Sequence, residues 1–207
     1  MPVPAMVVGF SLWVATAGGS DLPRPYQDAL DALRTSNEPS ARALAAIAVA
    51  HGFRDVPLSD PADVVDALSD AMQADADPTV QAMTAYALCV LRDLRGVPRL
   101  IGAIQSTVAR GVDPQGRFSD AVPLPVPYLY RALGHAGGRE ATWFLIEAAR
   151  TGPVRARVVA IAALGFVLGD GGEVERALTT LSGDPDPTVR NAARYVMSER
   201  KPRSGKR

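Results

Sequence analysis

With 207 residues, 47% of them apolar and 21% charged, the chain has room for one buried core or one short repeat array. Its formal net charge is zero, yet five of the last eight residues are basic; without them 17 basic residues stand against 22 acidic ones, which argues against a broad phosphate-binding face. A single cysteine, Cys89, excludes an intramolecular disulfide and a cysteine metal cluster, and with two histidines, His51 and His135, a zinc site built of His and Cys alone would need nearly every candidate in the chain.

The first element in chain order is the apolar stretch 3–19, VPAMVVGFSLWVATAGG. Ala15-Thr16-Ala17 resembles a leader cleavage site, but no Lys or Arg precedes the stretch, and it is short for a bilayer span. It is read as a first, buried helix ended by Gly18-Gly19, with a signal over 1–17 as the alternative; retention implies a cytoplasmic protein, removal or insertion a secreted or anchored one. An amphipathic helix is predicted over 22–35, followed by an alanine-rich one over 37–53. The next amphipathic helix, 61–74, carries Val64, Leu68 and Met72 on one face, with Asp60 as N-cap and Pro61 at the first helical position. Segment 75–93 opens on Asp77-Pro78, and 97–109 is again amphipathic. An irregular insertion, 106–125, interrupts the pattern before a helix within 125–138 that ends at Gly137-Gly138. Helices then follow over 139–150, 153–170, 172–182 and 184–200, the third of these preceded by a turn around Gly169-Asp170-Gly171-Gly172. A basic, disordered tail is predicted over 200–207.

The alternate helices repeat. Aligning a small-apolar pair near each centre gives Ala48-Val49, Ala87-Leu88, Ala132-Leu133, Ala163-Leu164 and Val196-Met197, at intervals of 39, 45, 31 and 33 residues. Trp13-Val14 falls 35 residues before the first pair, which is why the N-terminal stretch reads as a repeat helix. DPTV opens both 77–80 and 186–189. The string D-P-x-V-R-x-x-A, followed by A-L-G and G-D, resembles bacterial HEAT-like repeats of the bilin lyase and phycobilisome-linker type. Asp186, Pro187, Val189, Arg190 and Ala193 carry it, as do Asp77, Pro78 and Val80, with Gln81 in place of the arginine, and Arg157, Ala163, Leu164, Gly165, Gly169 and Asp170. The resemblance implies an all-α fold, a right-handed α–α superhelix of about five helix pairs over 1–199, and says almost nothing about activity.

Signals for catalysis are missing: the sequence holds no phosphate-loop glycine motif, G-x-S-x-G, H-E-x-x-H or C-x-x-C, and neither a catalytic residue, a cofactor nor a metal is expected. Two sets of residues are candidates for binding a protein partner. The first lies in the insertion: Arg110, Asp113, Gln115, Arg117 and Asp120 around Phe118, an aromatic expected to be exposed. The second is a stripe on the repeated helices, Tyr86, Tyr130, Arg131, Arg194 and Tyr195; on its helix Tyr86 shares an outward face with Ala82, Ala85 and Cys89, opposite the buried face Val80, Thr84, Ala87, Leu88 and Leu91. His51 and His135 lie near helix ends and read as caps of terminal carbonyls. The leading expectation is a noncatalytic protein-interaction scaffold using a concave helical surface and the inserted loop. The alternative is an accessory or lyase-like subunit acting on a chromophore-bearing or enzyme partner. Nucleic acid is not expected, because only the tail is basic, nor is a membrane unless 3–19 is a leader; the first helix has no polar face and is expected to contact another chain.

Overall fold

A computed structural model describes residues 22–55, 57–167 and 172–200. The expectations for 3–19, for the turn 169–171 and for 201–207 lie outside the described residues. Ten α-helices occur among them: α1 Arg24–Thr35, α2 Pro39–Asp55, α3 Ala62–Ala74, α4 Pro78–Val90, α5 Val97–Ala109, α6 Val126–Ala136, α7 Gly138–Thr151, α8 Val154–Leu164, α9 Glu173–Leu181 and α10 Pro187–Arg200. No strand is found among the described residues; Arg117 and Pro125 form one isolated bridge.

Each odd-numbered helix packs on the even-numbered helix that follows it, giving five pairs. Each even helix also packs on the next even one, α2 on α4, α4 on α6, α6 on α8 and α8 on α10. The sequence explains the difference between the two kinds. Odd helices bury one stripe, such as Val64, Val65, Leu68 and Met72 of α3, and turn charged residues outward. α4 is covered from α2, α3, α5 and α6, and every residue from Ala82 to Cys89 is buried. This corrects the outward face assigned to Ala82, Ala85, Tyr86 and Cys89: a 100° step divides a helix into two faces only when solvent reaches one of them, and α4 has no such side over that span. Tyr130 of α6 is buried for the same reason, its ring 6.2 Å from that of Phe144.

The repeated Asp-Pro strings form the turns inside two of these pairs, between α3 and α4 and between α9 and α10. Asp77 accepts from the backbone N–H of Thr79 and Val80, and Asp186 accepts from those of Thr188 and Val189, so both cap the helix that starts at the following proline. Two residues earlier, Asp75 and Asp184 each accept from the backbone N–H of the capping aspartate. Each is also gripped by the arginine at the fourth position of the preceding even helix described around it: Arg42 of α2 on Asp75 at 2.6 Å, and Arg157 of α8 on Asp184. Gln81 donates to the Asp75 carbonyl as Arg190 donates to that of Asp184, so the departure from the repeat string at Gln81 preserves its contact. The guanidinium of Arg42 holds the Asp75 carboxyl below the usual carboxylate range.

Two boundaries differ from expectation. Asp60 accepts from the Ala62 N–H, but α3 starts one residue later than the sequence suggested, with Pro61 in the cap position. Arg200 belongs to α10 rather than to a tail, because its guanidinium donates to the carbonyls of Leu164 and Val167 at the end of α8.

Candidate functional site

The predicted insertion is shorter and more ordered than its composition suggests. α5 continues through Ala109, and 110–125 folds back on itself: Phe118 N–H donates to Leu124 O at 2.8 Å, Ser119 N–H to Val122 O at 3.3 Å, and Val126 N–H to Gly116 O at 2.9 Å. Phe118, Val122 and Leu124 face the core. Phe118 is 7% exposed, which overturns its assignment as an exposed aromatic; burying the ring is what anchors this stretch on the helices. Arg110, Asp113, Gln115, Arg117 and Asp120 are exposed, and Asp113 is bound by Arg155 of α8 at 2.6 Å. Arg110 and Phe118 border a shallow hollow of about 550 Å3 with Gln81, Arg95 and Arg99. Its Arg95 is already neutralised by Asp93 and Asp66, at 3.0 and 3.1 Å.

The second set is divided. Arg131, Arg194 and Tyr195 are exposed, while Tyr86 and Tyr130 are buried. Arg131 and Tyr86 nevertheless meet in one place, a cleft of about 270 Å3 between α2, α4 and α6 that the sequence did not reveal. α2 contributes His51, Phe53 and Arg54; α4 and the residue after its cap contribute Tyr86, Val90 and Arg92; α6 contributes Tyr128, Arg131 and His135. Three guanidiniums and both histidines of the chain thus line one small space.

Local structure places these cations. Arg54 sits in the last turn of α2 and Arg92 just beyond α4, where positive charge complements the carbonyl end of the helix. Arg92 lies in the left-handed region, φ 64°, alone among the described non-glycine residues. Its N–H donates to Cys89 O while Asp93 N–H donates to Leu88 O, the paired bonds of a Schellman end in which the left-handed residue is usually glycine. On α6, Arg131 Nε donates to His135 Nε2 at 3.2 Å, and its guanidinium carbon lies 4.5 Å from the centroid of the Phe166 ring. His135 packs on the same ring at 4.7 Å. Accepting at Nε2 makes His135 a neutral imidazole protonated on Nδ1.

The charges are poorly balanced. Arg54 meets Asp55 at 3.2 Å, an exposed pair, and neither Arg92 nor Arg131 is paired with a carboxylate among the described residues. His51 Nε2 is buried with no hydrogen-bond partner. Burial, then Arg54, pushes the His51 pKa down, with Asp55 opposing; burial, then Arg131 and Arg92, does the same to His135. The Tyr86 phenol is pushed up to about 12, chiefly by burial. The capping role expected for the two imidazoles is not the one observed. Cys89 is fully buried and its thiol is raised by burial, so this residue presents no thiolate at the surface.

The signal that could have found the cleft is register. His51, Val90 and His135 each stand three residues after the first member of the aligned pairs at Ala48, Ala87 and Ala132, and all three line it. Phe166, at the same offset from Ala163 and just beyond α8, is the ring under Arg131. No group of His, Cys, Asp and Glu suited to a metal ion occurs among the described residues, and none of their helices is long and apolar enough to cross a membrane. No protein-family model matches the chain, and a search of curated proteins finds no match.

Proposed function

We propose that the chain is a noncatalytic interaction scaffold, a short right-handed superhelix of HEAT-like helix pairs acting in the cytoplasm, that binds an acidic protein partner across the face of its even-numbered helices. The observation that carries this reading is the unneutralised, aromatic-lined surface formed by Tyr128, Arg131 and Phe166, with Arg194 and Tyr195 exposed on α10. Tyr and Arg are the side chains that most often anchor interfaces, because each combines a large apolar body with directed polar groups. Tyr195 at 67% exposure and Tyr128 at 37% have area to lose on binding. The exposed residues of 110–120 extend this proposal as a second contact, although the burial of Phe118 removes the aromatic anchor from that stretch.

The test is site-specific photocrosslinking in cells, with the crosslinker at Tyr128, Tyr195 or Gln115 and adducts identified by mass spectrometry. One discrete protein is expected from Tyr128 and Tyr195, and Arg131→Glu is expected to abolish its capture. Adducts from Gln115 alone would move the interface to the 110–120 segment. Equal capture by the Arg131→Glu chain would refute the role given to the helical face.

A further inference from the structure

We propose that the cleft between α2, α4 and α6 is a binding site for a small oxyanion, a carboxylate or phosphate borne on a compact apolar body. This goes beyond the scaffold reading and does not depend on it.

Arg54, Arg92 and Arg131 border a space of about 270 Å3, and among the described residues the one carboxylate bonded to any of them is the exposed Asp55. Guanidiniums crowded together repel one another, and the arrangement becomes favourable when an anion enters. Their planar N–H forks suit carboxylate and phosphate oxygens, which accept two bonds from one arginine. The unpartnered His51 Nε2 supplies a further polar group that an entering ligand would satisfy.

The backbone supplies a second, independent argument. The Schellman end of α4 needs a left-handed residue and holds Arg92, where glycine would be relaxed. A strained residue persists where its side chain serves a purpose that glycine cannot serve, and this side chain lines the cleft. Tyr86, Tyr128 and Phe53 supply apolar walls. The volume lies just below the usual range for small-molecule sites, which suits an anion carried on a single ring.

The experiment is calorimetric titration of the full chain with benzoate, phenyl phosphate and inorganic phosphate, with benzyl alcohol as the neutral control. Saturable one-to-one binding of at least one oxyanion is expected, and none of benzyl alcohol. Preference for benzoate assigns the site to carboxylates; preference for either phosphate assigns it to phosphates, with the ring contributing only if phenyl phosphate exceeds the inorganic ion. Arg92→Gly is expected to weaken binding about tenfold, the loss of one charge-assisted bond, while leaving Tm unchanged or about 2 °C higher because backbone strain is released. Arg139→Gln, an exposed α7 arginine outside the cleft, is expected to bind as the wild type does. Absence of saturable binding by all three anions would overturn the proposal, as would undiminished affinity in Arg92→Gly. These outcomes leave the crosslinking test untouched, so the two readings fail separately.

Discussion

Gly134→Ala is expected to destabilise the fold by about 3 kcal/mol, the upper end of the cost of overpacking a rigid site. Gly134 lies in α6 where it crosses α8, and a Cβ there would penetrate the carbonyl oxygen of Ala163 and press on Phe166 at 3.2 Å. The obstructing atom is backbone in the last turn of α8, so it cannot rotate away as a side chain would. Relief requires α6 and α8 to separate, which opens the contacts of Leu133 and Leu164, both fully buried. Helix propensity alone would favour alanine by about 1 kcal/mol. The sign of the measured change therefore decides whether close approach or propensity governs the position, and chemical denaturation of the two proteins reads it directly.

Arg157→Ala is expected to cost about 3 kcal/mol, the lower end for breaking a largely buried ion pair by removing one partner. The side chains of Arg157 and Asp184 are 14% and 11% exposed, and Arg157 also donates to the carbonyl of Ala149. Its loss leaves the Asp184 carboxylate with the N–H of Asp186 as its remaining bonded partner among the described residues. The double variant Arg157→Ala with Asp184→Ala is expected to recover part of the loss, since no unpaired charge then remains. A loss in the double variant equal to the sum of the two single losses would show that the pair does not couple α8 to the start of α10.

The sequence was informative wherever one helix face meets solvent. The amphipathic segments 22–35, 61–74 and 97–109 correspond closely to Arg24–Thr35, Ala62–Ala74 and Val97–Ala109. Asp77 and Asp186 were legible as caps because a carboxylate before proline has one favourable local arrangement. The side-chain facing of α4 is not legible, since a helix covered on all sides carries no amphipathic signal, and the 100° step alone turns Tyr86 and Cys89 outward. Composition misread Phe118 too: charged neighbours made it look exposed, while the hairpin-like bonds of 116–126 turn its ring inward. The cleft depends on α2, α4 and α6 coming together, which no local pattern encodes. Only the shared register of His51, Val90 and His135 hinted at it.

Among the described residues this cleft is a cationic space in which only the exposed Asp55 meets any of the three guanidiniums, and the two histidines are its internal probes. Their titration by NMR in the ligand-free protein tests it most directly, because the chain holds no others. Both are expected to titrate below the ordinary imidazole value of about 6.5, through burial and the positive charge of Arg54 for His51 and of Arg131 and Arg92 for His135. The linked stability has a definite sign. Depressed folded-state values mean the unfolded chain binds more protons, so this contribution is present above about pH 6.5 and is lost as pH falls through the depressed values. Titration of both imidazoles below 6.5, with stability falling on acidification over that range, is the predicted result. Titration of either at or above 6.5 would contradict it, since that requires negative charge facing the cleft.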